Sequence, residues 1–151
     1  MKNYVIGIDP GSTKGHGVAV YINGQLESLH MMNLFQLYHF LKSLDCEFKV
    51  AIEDNEKEKR TFKDRLRKAR SKEGAAKMGQ DVGRLKWCQI EVERMLESEF
   101  DVKVYKLTQS KCWKTGNGKA QFEKVTGWKG RSNEDTRSAA YFGWLGVQNA
   151  G

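Results

Sequence analysis

The sequence predicts an α/β domain built on one mixed five-stranded sheet flanked by helices, and three observations predict it. Three strand-like runs open the chain with no helix between them. Later stretches carry apolar residues at helical spacing, and two further strand-like runs alternate with those stretches. Antiparallel strands first and βαβ crossovers afterwards imply a single sheet, three antiparallel strands followed by parallel ones, with helices on its faces.

Residues 3–9 form a short β-branched apolar run ended by Asp9-Pro10-Gly11, where proline sets φ and glycine tolerates a tight turn. Residues 16–22 and 25–32 read as two more strands joined at Asn23-Gly24, a strong hairpin signal. Asn33 is placed to cap a helix over roughly 34–44, because Leu34, Leu37, Phe40, Leu41 and Leu44 fall on one helical face. The run from Phe48 to Glu53 is a fourth strand that stops at an acidic cluster.

From about Glu73 to Ser98, Met78, Val82, Leu85, Cys88, Val92, Met95 and Leu96 give the pattern of a long amphipathic helix. Gly79 and Gly83, four residues apart, would let its backbone approach the sheet or a partner helix. Val102 to Leu107 alternates like a fifth strand, the segment 108–132 is glycine-rich around Thr115-Gly116-Asn117-Gly118-Lys119, and a last helix is expected from about Asn133 to Leu145.

The 151 residues match one ordinary domain, with 39% hydrophobic and 30% charged residues. That composition excludes a disordered chain, and no run reaches the ~20 apolar residues of a spanning helix, so no membrane partner is expected. The N-terminus carries no export pattern, which points to the cytoplasm. Cys46, Cys88 and Cys112 suggest neither a disulfide framework nor a zinc site, and His16, His30 and His39 fall in no ligand spacing.

The formal charge is +7, and the segment 57–72, with nine Lys/Arg against Glu58 and Asp64, carries all of it. A neutral body with one concentrated basic arm suits a polyanion, since each neutralised phosphate releases counterions; a solvated helical face is the plainer alternative. Phe62, Lys63, Arg65, Arg67 and Lys68 of the arm are candidate DNA contacts, with Phe62 set either to stack on an unpaired base or to pack locally. Lys111, Lys114 and Lys119 would add phosphate contacts that position DNA without reading its sequence.

Acidic residues stand where such a sheet would gather them: Asp9 ends strand 1, Glu53 ends strand 4, and Glu134 and Asp135 begin the last helix. Magnesium takes oxygen ligands and keeps several waters, so a few converging carboxylates plus a substrate phosphate make its usual site. Two such ions can activate a water and stabilise the leaving oxygen of a phosphodiester. On spacing alone an acid after a strand is equally a turn residue, and the acids at 134 and 135 equally favour a helix N-terminus.

The motifs taken together go further. Ile6-Gly7-Ile8-Asp9-Pro10-Gly11-Ser12 followed by Gly17-Val18-Ala19, Val50-Ala51-Ile52-Glu53, Lys77-Met78-Gly79-Gln80-Asp81-Val82-Gly83, Thr115-Gly116-Asn117-Gly118-Lys119-Ala120-Gln121 and Asn133-Glu134-Asp135-Thr136-Arg137-Ser138-Ala139 occur in that order over nearly the whole chain. This series resembles the RuvC-type Holliday-junction resolvases, whose fold is RNase H-like. The resemblance implies a homodimeric endonuclease that cuts four-way and other branched DNA. It implies Mg2+, with Mn2+ able to substitute, as two ions held by Asp9, Glu53 and Asp135, with Asp9 shared between them.

Ser138 departs from the pattern, standing where the family commonly has a last aspartate, so Glu134 or water would supply the missing contact. Asp54 should face the other side of its strand and is left out of the set. The small size and lack of a fused helicase resemble a bacteriophage-encoded member, which would act in the cytoplasm of a bacterial host. The long helix is a candidate dimer face, with packing on the sheet as the alternative reading.

Three rival readings remain. The Gly7-Ile8-Asp9-Pro10-Gly11-Ser12 turn and hairpin also resemble the first phosphate loop of actin-like ATPases, which need a second such domain. A related ribonuclease for structured RNA would use the same carboxylates, and Ser138 motivates a junction-binding module without catalysis.

Overall fold

The side chains alternate across one sheet so that isoleucines and valines fill one face, while the other carries Gly7, Gly17, Ala19 and Ala51 beside Val5 and Tyr21. In a computed structural model of the protein, describing residues 2–11, 13–55 and 72–149, β1 (Tyr4–Asp9), β2 (His16–Ile22), β3 (Gln25–Met32), β4 (Phe48–Asp54) and β5 (Lys103–Thr108) form a five-stranded sheet in the order β3-β2-β1-β4-β5. β1 runs antiparallel to β2 and β2 to β3, whereas β4 runs parallel to both β1 and β5. This is the mixed sheet the sequence implies.

The β2–β3 turn has positive φ at both Asn23 and Gly24, as a two-residue hairpin whose twist matches its strands requires. Among the described residues four helices flank the sheet: α1 (Leu34–Lys42), α2 (Lys72–Glu99), α3 (Gly118–Thr126) and α4 (Glu134–Asn149). α1 begins where expected, and Asn33 and Gln36 satisfy each other's backbone N–H groups in a reciprocal cap. α4 opens on a similar exchange between Asn133 and Thr136.

α3 lies inside the stretch that the sequence pattern does not resolve into an element. Its first residue, Gly118, sits against the Trp113 backbone, where a Cβ would come within 2.6 Å of the carbonyl carbon. The glycine that disguises the helix in sequence is thus a packing requirement.

Ile6, Ile8, Val18, Val20, Val50 and Ile52 form one core with Leu37 and Leu41 of α1 and Val92 and Leu96 of α2. On the opposite face Val5, Ala19 and Tyr21 pack with Ala139 and Ala140 of α4 and with Trp113 and Phe122. There α4 runs against the sheet backbone: a Cβ on Gly7 would lie 2.1 Å from the Ala139 carbonyl oxygen, and one on Gly17 2.3 Å from that of Asp135. The Tyr21 hydroxyl locks the contact by donating to the Ala140 carbonyl at 2.6 Å, and burial pushes its pKa up.

Two sequence readings of α2 resolve differently. Gln89, Val92 and Leu96 in its C-terminal half are buried, but a Cβ on Gly83 would meet open space, so Gly83 does not mediate close packing on the sheet. All three cysteines are free. No helix among the described residues is long and apolar enough to cross a membrane.

Candidate active site

Strand register brings the first two acids together. Ile8 pairs with Ile52 between the parallel β1 and β4, so the next step along both strands carries Asp9 and Glu53 to neighbouring positions on the α4 face. Both are buried, at 5% and 7% exposure. Asp9 pairs with Gly17 across β2, and the Asp135 Cβ lies 3.3 Å from where a Gly17 Cβ would stand. The absence of a side chain at Gly17 is what admits the start of α4, and with it Asp135, to the ends of β1 and β4.

Lys114 joins these acids. Its Nζ is 3.4 Å from Asp9 Oδ2. Burial opposes the ammonium charge, but the carboxylates of Asp9, Glu53 and Asp135 and the bond to Asp9 outweigh it and raise the Lys114 pKa. Asp135 moves above the ordinary carboxylate value, first through burial and then through the Asp9 charge, with Lys114 and Lys14 working against the rise. Two elements separated by most of the chain therefore sense one another's charge.

The inward course of Lys114 has a visible support. Trp113, just before it, has φ +66°, a left-handed conformation that costs a non-glycine residue about 1–2 kcal/mol. Arg137 on α4 holds this turn: Nε donates to the Trp113 carbonyl at 2.8 Å, one terminal nitrogen to the Lys114 carbonyl at 3.0 Å, and the other to Ser132 Oγ at 3.1 Å. The Trp113 ring is packed among Phe122, Tyr141 and Trp144.

The next residues of β4 belong to a separate polar clamp. Gln89, fully buried on α2, donates from Nε2 to Asp54 Oδ1 at 3.1 Å and accepts the Asn55 N–H, while Gln109 donates to Asn55 Oδ1. Asp54 is thus engaged from the α2 side, opposite the Asp9 face. Another buried group, His16, accepts the Gly11 N–H on Nδ1 at 3.1 Å, and burial lowers its pKa against the opposing pull of Asp9.

The remaining sequence candidates divide clearly. Glu134 is exposed beside Asp135, and Ser138, one turn further along α4, is fully buried with Oγ lacking a hydrogen-bond partner. Lys111 and Lys119 are exposed, in contrast to Lys114. Phe62, Lys63, Arg65, Arg67 and Lys68, with the rest of the arm up to residue 71, lie outside the described residues.

Among the described residues no three His, Cys, Asp or Glu side chains are grouped closely enough to hold a metal ion. The donor chemistry nevertheless suits a hard cation, because Asp9, Glu53 and Asp135 offer carboxylate oxygens, the buried Asp9 Oδ2 has only the Lys114 ammonium at 3.4 Å, and the buried Ser138 Oγ has no hydrogen-bond partner. Lys114 supplies the local positive charge in this arrangement.

Sequence reasoning missed Arg137, Trp113 and Gln89 as individual residues. Gln89 did leave a signal, since it interrupts the apolar stripe of α2 three residues before Val92, and a polar group at such a position must find partners. Arg137 leaves none, because the two carbonyls it holds, of Trp113 and Lys114, lie more than twenty residues away in sequence.

These features define an α/β protein with two buried acids at the ends of two parallel strands, and a half-buried aspartate on the last helix and one lysine within their electrostatic reach. Comparison with protein-family models, with curated protein sequences and with solved structures finds no match to the chain.

Proposed function

We propose that the chain is a magnesium-dependent endonuclease of RNase H-like fold, of the RuvC resolvase type, that cuts four-way and other branched DNA as a homodimer. The observation that carries this reading is that Asp9 and Glu53 stand at neighbouring positions on parallel strands and Asp135 stands beside Gly17, the strand partner of Asp9, with the charge of all three acting on Lys114. The sheet, three antiparallel strands then two parallel ones, agrees with it.

In this reading Asp9, Glu53 and Asp135 hold Mg2+, with Mn2+ able to replace it, and Ser138 and Glu134 flank the set. The bound cation would supply a hydroxide-forming water and charge neutralisation at the phosphodiester. Lys114 pairs with Asp9 at 3.4 Å, and Arg137 fixes the loop that presents Lys114. Lys111, Lys119 and the basic arm, with Phe62, would hold the DNA backbone and its unpaired bases. Two opposed cuts require a second copy of the chain.

A synthetic four-way junction incubated beside a linear duplex and a structured RNA, with and without Mg2+, tests the proposal. Paired cuts in the junction that need Mg2+ are expected. Preferential cutting of RNA, or junction binding without cutting in either Mg2+ or Mn2+, would overturn it.

A further inference from the structure

A cavity of about 460 Å³ opens beside the acid cluster but on the other side of the β1–β2 turn, lined among others by Gly11, Lys14, His16, Asn33 and Trp87. Its rim is shared with the site: Gly11 follows Asp9 by two residues, and His16 precedes Gly17, the residue that supports Asp135. Lys14 lines the cavity and also lowers the pKa of Asp135, so its charge acts on both.

The cavity lining includes one aromatic residue, Trp87. Trp87 is 56% exposed. Yet the ring is braced: the Arg94 guanidinium lies 5.4 Å from its centroid and is itself held by Glu91 at 3.3 Å. An exposed aromatic ring supported by a guanidinium, together with a lysine and amide side chains in the same lining, makes a surface suited to a planar base with an anionic phosphate attached. The volume falls in the range of about 300–1,000 Å³ that takes a small organic ligand.

We propose that this cavity receives one unpaired nucleotide of the bound DNA strand, its base stacked on Trp87 and its phosphate directed to Lys14, next to the phosphodiester held at the acid cluster. The proposal rests on the nuclease reading and adds to it a subsite for the flanking nucleotide. It also accounts for selectivity towards branched DNA: a base leaves its stack most readily where the duplex is already interrupted.

The test compares the wild-type protein with Trp87→Ala and Trp87→Phe on two junctions, one intact and one carrying an abasic nucleotide next to the cleaved bond. Stacking of one base is worth about 1–3 kcal/mol, so Trp87→Ala should slow cutting of the intact junction by about 5- to 150-fold and leave cutting of the abasic junction unchanged. Trp87→Phe should retain most of the wild-type rate. A 2-aminopurine at the flanking position, bound in Ca2+ without cutting, should be quenched by the wild type and less so by Trp87→Ala.

Equal slowing on both junctions overturns the proposal, as does a Trp87→Ala protein that runs at half the wild-type mass, since a second copy of the chain would then cover the ring. Absence of any cutting by the wild type overturns the nuclease reading beneath it. Intact cutting with no change in 2-aminopurine emission overturns the subsite alone.

Discussion

The two faces of the sheet solve opposite problems with the same strands. On the α1 and α2 side, alternate residues of β1, β2 and β4 are isoleucines and valines that keep the helices at a distance set by side-chain volume. On the α4 side the corresponding positions are Gly7, Gly17, Ala19 and Ala51, and α4 comes down onto the backbone itself. The first face contributes burial; the second contributes proximity, and only proximity can bring Asp135 from the last helix to Asp9 on the first strand. Stability and site geometry are therefore separable by mutation.

The largest effect should come from breaking the close approach. Gly7→Val would drive a Cβ to within 2.1 Å of the Ala139 carbonyl oxygen, backbone that cannot rotate away, and should destabilise the fold by about 3 kcal/mol or more with loss of cutting. Ile6→Val, the adjacent residue on the other face, should cost only about 0.5–1.5 kcal/mol and leave cutting intact. Urea denaturation of both variants beside a junction-cleavage assay checks the contrast. Similar losses in the two would show that the faces are not divided as described.

Asp135→Asn should separate the two properties in the other direction. Burial and the Asp9 charge make the ionised Asp135 unfavourable, so the neutral variant should melt slightly above the wild type without metal. Its cutting should fall by more than the about 10–100-fold typical of losing a group one step removed from a metal. A lower melting temperature would mean that Asp135 is held by favourable contacts and not by fold geometry acting against repulsion.

Lys114→Met asks what the lysine does among the acids. Removing a cation 3.4 Å from Asp9 Oδ2 should lower the Mg2+ concentration needed for half-maximal cutting, because the ion no longer competes with the ammonium. The maximal rate should fall at the same time. An unchanged Mg2+ requirement would move Lys114 to a purely structural position.

How much of this was legible beforehand depends on the range of the contact. The Asn23-Gly24 turn, the Asn33 cap and the strand-end position of Asp9 follow from local chemistry and the structure has each of them, while β4 runs one residue past Glu53 to Asp54. Asp54 could be assigned to the opposite face because strand side chains alternate. The course of Lys114 could not be read, since it depends on a left-handed Trp113 held by an arginine from another element. The α3 helix was hidden for a related reason: Gly116, Gly118 and Gly127 look like loop residues, while Gly118 answers a tertiary contact and Gly127 terminates the helix in a left-handed cap.

The smallest expected effect concerns His16, which lies on the boundary between the two faces. Burial lowers its pKa in the folded protein, whereas the unfolded chain keeps the ordinary value of 6.5, so on acidification the unfolded state takes up the proton first. The sign follows: the folded state holds its full advantage above about pH 6.5 and loses part of it as the pH falls towards the lower folded value, below which this contribution levels off. Asp9, ionised nearby, favours the imidazolium and so limits the loss. His16→Gln can still accept the Gly11 N–H through its amide oxygen but cannot titrate, so its melting temperature should decline less between neutral pH and pH 5 than that of the wild type. Parallel declines would show that the imidazole takes up its proton as readily in the folded protein as in the unfolded chain.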